Sequence, residues 1–247
     1  NESHLEWFFS EFEKFTRRKE LQRAILKSAD LLEKGDYEPV EKIIKDAVQI
    51  GLIKDIGLDY WGNPRERLQS LRDKNGQIST GYPKLDKLLF GGWNRGELEI
   101  LAAPSGGGKS LMMQNFAVNW LLSGLNGIYF TLELSEELCA MRMDSMISGI
   151  STREVFKSLD DLELTLRMKQ KSAGKFNLKF FPAGSVVNKL RSYLKEYQVQ
   201  TGIKPDFVMV DYLDLLMPSS VKVNPSDVFI KDKYVSEELR NMAKEWN

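Results

Sequence analysis

Apolar residues near the start of the chain recur with the spacing of one helix face. Between Leu5 and Leu32 they follow at three- and four-residue steps, which is the period of an amphipathic α-helix. The pattern predicts a long helix over residues 5–34. A second helix is predicted over residues 39–49, because it opens with a proline, which a first helical turn tolerates. Gly51 is expected to end it.

Turn-forming residues mark the next stretch. Two clusters of such residues, Gly62-Asn63-Pro64 and Lys74-Asn75-Gly76, lie within residues 57–78. Clusters of this kind mark turns and loops between regular elements. We therefore divide the chain into a helical linker segment, a tether containing a short helix, and a larger domain. Their predicted bounds are 1–56, 57–78 and 79–247.

Short apolar runs alternate with helical patterns in the larger domain. This alternation predicts an α/β fold with a parallel sheet and helices on both faces. The predicted strands cover residues 98–102, 127–132, 176–181 and 207–210. The predicted helices cover residues 111–122, a segment opened by Ser135, residues 186–200 and residues 231–246.

Composition narrows the chemistry that is available. Lys and Arg number 35 and Asp and Glu also number 35, so any contact with nucleic acid must be local rather than driven by bulk charge. Cys139 is the only cysteine and His4 the only histidine, which excludes an internal disulfide, a cysteine cluster and histidine-based catalysis. No apolar run approaches the roughly 20 residues that span a bilayer. We expect a soluble, cytoplasmic protein.

The sequence APSGGGKS has the pattern of a phosphate-binding P-loop. Glycines let successive backbone N–H groups turn toward phosphate, and we expect side chains at those positions to obstruct this nest. Lys109 is then expected to reach the β- and γ-phosphates of ATP, and Ser110 to offer its hydroxyl to Mg²⁺. Ala103 stands where the strict pattern has a glycine. The predicted ATP-binding residues are Ala103, Pro104, Ser105, Gly106, Gly107, Gly108, Lys109 and Ser110.

Asp211 follows four apolar residues in FVMVDYLD. A strand in a parallel sheet would deliver this carboxylate to the edge where the phosphates bind, and it could orient Mg²⁺ there, most simply through water. Strands ending in aspartate are common in parallel sheets, so the motif gains weight from its pairing with the P-loop. Asp214 is left without a role.

Glu133 in FTLELS stands at the end of the strand that follows the P-loop helix. It is therefore expected at the same sheet edge, where a carboxylate could activate the attacking water. The alternative is an acid at a helix N-terminus, stabilised by the helix dipole. Position alone leaves both open.

Three stretches together resemble a known family. STGYPKLDKLLFGGWNRGELEILAAPSGGGKS is similar to the opening of RecA-like ATPases, which include DnaB-type replicative helicases, KaiC-like proteins and RadA-like recombinases. FTLELSEELCAMRMDSMISGIS, which carries Arg142, and VDYLDLL resemble the DnaB-type motifs. Within the second stretch, the segment SEELCAMR most resembles the replicative helicases of T-even-like phages.

The resemblance implies a ring, usually a hexamer, that hydrolyses ATP and moves 5′ to 3′ along single-stranded DNA. It implies catalytic roles for Glu133 and Lys109, packing of the N-terminal linker helix on a neighbouring subunit, and contacts with primase and a helicase loader. The expected location is a bacterial or phage-infected cell. The sensor strand, DNA-binding loops and arginine finger are expected beyond Asn247, so the ATPase domain would be incomplete here.

Two other functional hypotheses remain at this stage. One is a RecA-like recombinase or KaiC-like regulatory ATPase, which shares the P-loop. The other is a non-enzymatic nucleotide-binding or loader module, which would bind nucleotide without turning it over.

Overall fold

A computed structural model describes residues 2–33, 38–49, 57–74 and 76–246. The chain forms two compact units, Asn1–Pro64 and Arg65–Asn247. The boundary between them lies inside the segment predicted as a tether. The short helix predicted there is present as α3, Pro64–Lys74.

The first unit is built from two helices that contact each other. They are α1, Glu2–Glu33, and α2, Glu38–Gln49, which confirms both predicted helices. Among the side chains described in these two helices, the buried ones are small: Ala24 and Ser28 on α1 and Ala47 on α2. Small side chains let two helices approach closely. Gly51, the predicted helix end, lies outside the described residues.

Among the described helices, none is long and apolar enough to cross a membrane.

The second unit alternates helices with strands, as predicted. After α3 the order is α4 Pro83–Leu88, α5 Lys109–Leu122, β1 Gly127–Thr131, α6 Glu136–Ser148, α7 Leu159–Gln170, β2 Phe176–Phe180, α8 Val187–Thr201, β3 Phe207–Asp211 and α9 Val228–Trp246.

The sheet has three parallel strands in the order β2-β1-β3. Every residue of the central strand is buried, because alternate side chains point to opposite faces and both faces are covered. Ile128 and Phe130 join a core with α8 and α9, whereas Tyr129 joins a core with α5 and α6. The predicted parallel sheet with helices on both faces is therefore confirmed.

The strand predicted over residues 98–102 is wrong. Residues 97–104 have no regular secondary structure, and a cavity of about 260 Å³ lies between this segment and β3, so no ladder hydrogen bonds join them. Its apolar residues serve packing instead. Leu98 contacts the core under α8 and α9, and Leu101 contacts the core under α5 and α6.

A turn at Ser79 and Thr80 fixes the position of α5. The Trp120 indole donates to the Ser79 carbonyl at 2.7 Å, and the Asn119 amide donates to the Thr80 carbonyl at 2.9 Å. The Asp86 carboxylate accepts from both hydroxyls, at 2.6 and 2.7 Å. Burial opposes ionisation, but these hydrogen bonds outweigh it and hold the pKa of Asp86 below its ordinary value. The helix that follows the P-loop is thus anchored from its far end.

Removing a buried side chain from α8 tests the core. Leu190→Ala should lower the free energy of unfolding by about 2–5 kcal/mol, because Leu190 is fully buried and its loss leaves a cavity. Val199→Ala on the same helix is the control, since Val199 is 85% exposed and should change that free energy by less than about 0.5 kcal/mol. Urea unfolding followed by circular dichroism measures both. Equal effects would contradict the assigned core.

Candidate functional site

The P-loop, residues 103–110, leads directly into α5. This helix begins at Lys109, two residues before the predicted start at Leu111, and Gly108 is its N-cap with φ of 85°. Lys109 and Ser110 therefore occupy the first helical turn. Free backbone N–H groups and the positive end of the helix dipole attract anions at such a position.

The glycines of the loop serve different purposes. Gly106 and Gly108 have φ of 74° and 85°, a region that favours glycine, and a Cβ at either would meet no protein atom within 4 Å. A Cβ at Gly107 would come within 2.9 Å of the Pro104 carbonyl oxygen, which accepts the Gly107 N–H at 2.9 Å. Backbone conformation thus requires the outer two glycines, and space beside them stays open.

The Lys109 ammonium lies against the loop itself. Its Nζ donates to the carbonyl oxygen of Ala103 at 2.8 Å and approaches that of Pro104 at 3.4 Å. These contacts hold a positive charge beside the N-terminus of α5. The position is suited to neutralising a phosphate group.

Ser110 and Asp211 meet directly although 101 residues separate them. The Ser110 hydroxyl donates to Asp211 Oδ1 at 3.0 Å. Asp211 is only 3% exposed, at the end of β3. The two predicted magnesium-binding residues are thus adjacent, and both offer the oxygen atoms that Mg²⁺ prefers. No group of three His, Cys, Asp or Glu residues able to hold a metal occurs among the described residues.

A second hydroxyl holds the other carboxylate oxygen. Tyr129, in the middle of β1, donates from its phenol to Asp211 Oδ2 at 2.6 Å. Burial first, and then the negative charge of Asp211, raise the pKa of Tyr129 far above its ordinary value. The phenol therefore keeps its proton and acts as a donor.

Glu133 lies in a tight turn at the carboxyl end of β1, where it is exposed. The Thr131 hydroxyl closes this turn by donating to the Leu134 carbonyl at 2.7 Å and accepting the Leu134 N–H at 3.2 Å. The Leu132 N–H donates to the Asp211 carbonyl at 2.8 Å. The turn is therefore joined to the end of β3 beside Asp211.

The turn leads into α6 but Glu133 is not part of that helix. Ser135 is the N-cap, as predicted, and accepts the Leu138 N–H at 3.3 Å, while Glu136 and Glu137 occupy the first turn. Arg142, a residue of the family resemblance, is half-buried on α6.

The charges of three acids act on Tyr212, the residue after Asp211. Burial first, and then the charges of Glu133, Asp214 and Asp211, raise the pKa of Tyr212. The carbonyl of Asp214 accepts a hydrogen bond from Lys231 of α9. Glu133 therefore lies within electrostatic reach of the β3 end, although no hydrogen bond joins it to Lys109 or Ser110 within the described chain.

Sequence reasoning missed Tyr129 and Thr131. The signal that could have found them is their spacing, because residues two apart on a strand share a face. In the parallel register Thr131 lies beside Asp211, so this face of β1 points toward the same carboxylate. The register itself is not visible in the sequence.

Two structural neighbours share this fold. The structure of a DnaB-like replicative helicase and its interactions with primase superposes with a TM-score of 0.57 over 91% of this chain and 54% of that chain, at 18% identity. A solved ATPase domain superposes with a TM-score of 0.56 over 74% of this chain and 68% of that chain, at 21% identity.

Sequence comparison gives a more specific answer. The DnaB-like replicative helicase of Enterobacteria phage T4 is 26% identical over 97% of this chain and 54% of its own length. The chain thus spans about half the length of this relative, and a smaller share of bacterial ones. The model of the DnaB-like helicase C terminal domain matches residues 77–247, and the chain belongs to that family.

Proposed function

We propose that this chain is the ATP-hydrolysing motor domain of a replicative DNA helicase. The supporting observation is the hydrogen bond from Ser110 to Asp211. It joins a phosphate-binding loop to a buried carboxylate, which is the arrangement that a nucleotide and its Mg²⁺ require. Membership of the helicase family favours this function over a recombinase or a KaiC-like regulator.

The loop residues would share the binding of the nucleotide. Backbone N–H groups of residues 105, 106 and 108–110 would hold the phosphates in the open space beside Gly106 and Gly108. Lys109 would exchange its contact with the Ala103 carbonyl for one with the β- and γ-phosphates. Ser110 and, through water, Asp211 would hold Mg²⁺. When bound, that ion neutralises charge on the phosphate oxygens.

Hydrolysis requires a group that handles the attacking water. Glu133 is exposed at the same sheet edge and its turn is fixed by Thr131, so its carboxylate can accept a proton from water as that oxygen attacks the γ-phosphorus. As that bond forms, the bond from the γ-phosphorus to the bridging oxygen would break and ADP would leave with its electron pair, while Lys109 would stabilise the negative charge on the β- and γ-phosphates. General-base assistance of this kind contributes about 10²- to 10⁴-fold to a rate.

The motor would work as part of an assembly. Aromatic side chains on α1 are exposed, among them Trp7 at 65% and Phe15 at 58%, and we propose that they pack on a neighbouring subunit of a homo-oligomeric ring, most simply a hexamer. The ring would translocate along single-stranded DNA in a bacterial or phage-infected cytoplasm. Primase is a proposed partner because a structural neighbour was solved with its primase interactions. A helicase loader is proposed by analogy.

Strand displacement by the complete protein tests the overall function. A forked duplex should be separated with ATP and Mg²⁺ and should remain paired with a non-hydrolysable ATP analogue. ATP hydrolysis without strand separation would refute the helicase assignment. Nucleotide binding without hydrolysis would instead support a non-enzymatic loader module.

Replacing the loop lysine tests the phosphate site. Lys109→Ala should reduce both nucleotide affinity and turnover at least about tenfold, because a charge-assisted contact with phosphate is lost. Lys195→Ala, which removes a 63% exposed lysine on α8, should change neither. Fluorescent-nucleotide binding and phosphate release measure the two quantities. Wild-type turnover in Lys109→Ala would disprove the site.

Replacing the turn carboxylate tests the chemical step. Glu133→Gln should keep nucleotide affinity but lower the hydrolysis rate by about 10²-fold or more, because the amide cannot accept the proton. Glu137→Gln is the matched control, since Glu137 lies in the first turn of α6, where hydrogen bonds from its own backbone N–H and from the Ser135 side chain lower the pKa of its carboxyl. If both variants hydrolyse ATP like the wild type, Glu133 has no role in hydrolysis.

A further inference from the structure

We propose that Tyr129 is a positioning residue for the cation site, which it orients through Asp211 and Ser110. The inference rests on the proposed function, because it assigns a cation to Ser110 and Asp211. It concerns a residue of the sheet core that lies outside all three sequence motifs.

The two oxygens of the Asp211 carboxylate have separate donors. Tyr129 occupies Oδ2 at 2.6 Å and Ser110 occupies Oδ1 at 3.0 Å. A carboxylate that is hydrogen-bonded at both oxygens cannot rotate about the Cβ–Cγ bond without breaking one of those hydrogen bonds. A carboxylate held only at Oδ1 could turn away.

The hydroxyl of Ser110 depends on this arrangement. A serine hydroxyl has one proton and two lone pairs. The proton is directed to Asp211 Oδ1, so the lone pairs stay free to act as metal ligands. The direction of those lone pairs therefore follows from the orientation of Asp211, and through it from Tyr129.

The phenol is a rigid support for this chain of contacts. Tyr129 is fully buried in the central strand, between Leu178 of β2 and Met209 of β3 in register. Its ring belongs to the core formed with α5 and α6. Close packing of this kind keeps a side chain in one rotamer, so the hydroxyl has a fixed location.

Tyr129 and Ser110 are the two side-chain donors that the described structure gives to the Asp211 carboxylate. Asp211 itself is almost inaccessible to water. Loss of the phenol would leave a buried charge with one donor fewer, which is costly.

Tyr129→Phe in the complete protein tests the proposal, because it removes one oxygen atom and keeps the ring. Mn²⁺ binding is measured by the loss of the free-ion electron paramagnetic resonance signal in the presence of a non-hydrolysable ATP analogue. The Mn²⁺ dissociation constant should rise about tenfold or more, as is typical when support for a metal ligand is removed. The Mg²⁺ concentration that gives half-maximal hydrolysis should rise in parallel, and excess Mg²⁺ should restore the rate.

Tyr197→Phe is the matched control. Tyr197 is also buried in the unit, at 8% exposure, but it lies in the core under α8 and α9. Its variant should bind Mn²⁺ like the wild type. An unchanged or tighter Mn²⁺ dissociation constant in Tyr129→Phe would overturn the proposal, since a purely structural tyrosine would not affect the cation.

The experiment separates this inference from the proposed function. Mn²⁺ binding needs no turnover, so a wild type that binds nucleotide without hydrolysing it still tests Tyr129. If Tyr129→Phe does not fold, the double variant Tyr129→Phe/Asp211→Asn decides. A folded double variant supports the proposal, because the unsupported charge caused the failure. An unfolded double variant refutes it, because the hydroxyl of Tyr129 is then needed for the packing of the core and not for the support of Asp211.

Discussion

A buried carboxylate that must be satisfied governs the arrangement of the second unit. Asp211 takes one hydrogen bond from the first turn of α5 and one from the middle of β1, while its own position is set by β3. A negative charge in an apolar interior is tolerated only with such partners. One side chain therefore links α5 to β1 and β3, which are themselves joined by their parallel ladder.

The parts of the site that sequence predicted are those that depend on local chemistry. The phosphate loop requires glycines at positive φ and a helix start immediately after them, so its residues form a recognisable string. Asp211 is similarly marked by the apolar run before it. The parallel sheet with helices on both faces also followed from periodicity, because alternation of strand and helix leaves few other arrangements.

The parts that sequence did not reveal depend on pairing between distant segments. Residues 98–102 are apolar enough for a strand, yet the neighbouring edge of β3 faces a cavity instead of this segment's backbone. Tyr129 resembles an ordinary core aromatic until the register places its strand face beside Asp211. The task of Glu133 remains a prediction, since its exposed carboxylate makes no hydrogen bond within the described residues that would assign one.

The turn closed by Thr131 has a mechanical consequence. Only Leu134 separates Glu133 from Ser135, the N-cap of α6, and Thr131 ties that intervening residue at both its N–H and its carbonyl. The backbone of this one-residue connection is therefore held in one conformation by its two hydrogen bonds. If Glu133 assists hydrolysis as proposed, a shift of the backbone at Glu133 would move the start of α6, a 13-residue helix, because a single residue connects Glu133 to the helix cap.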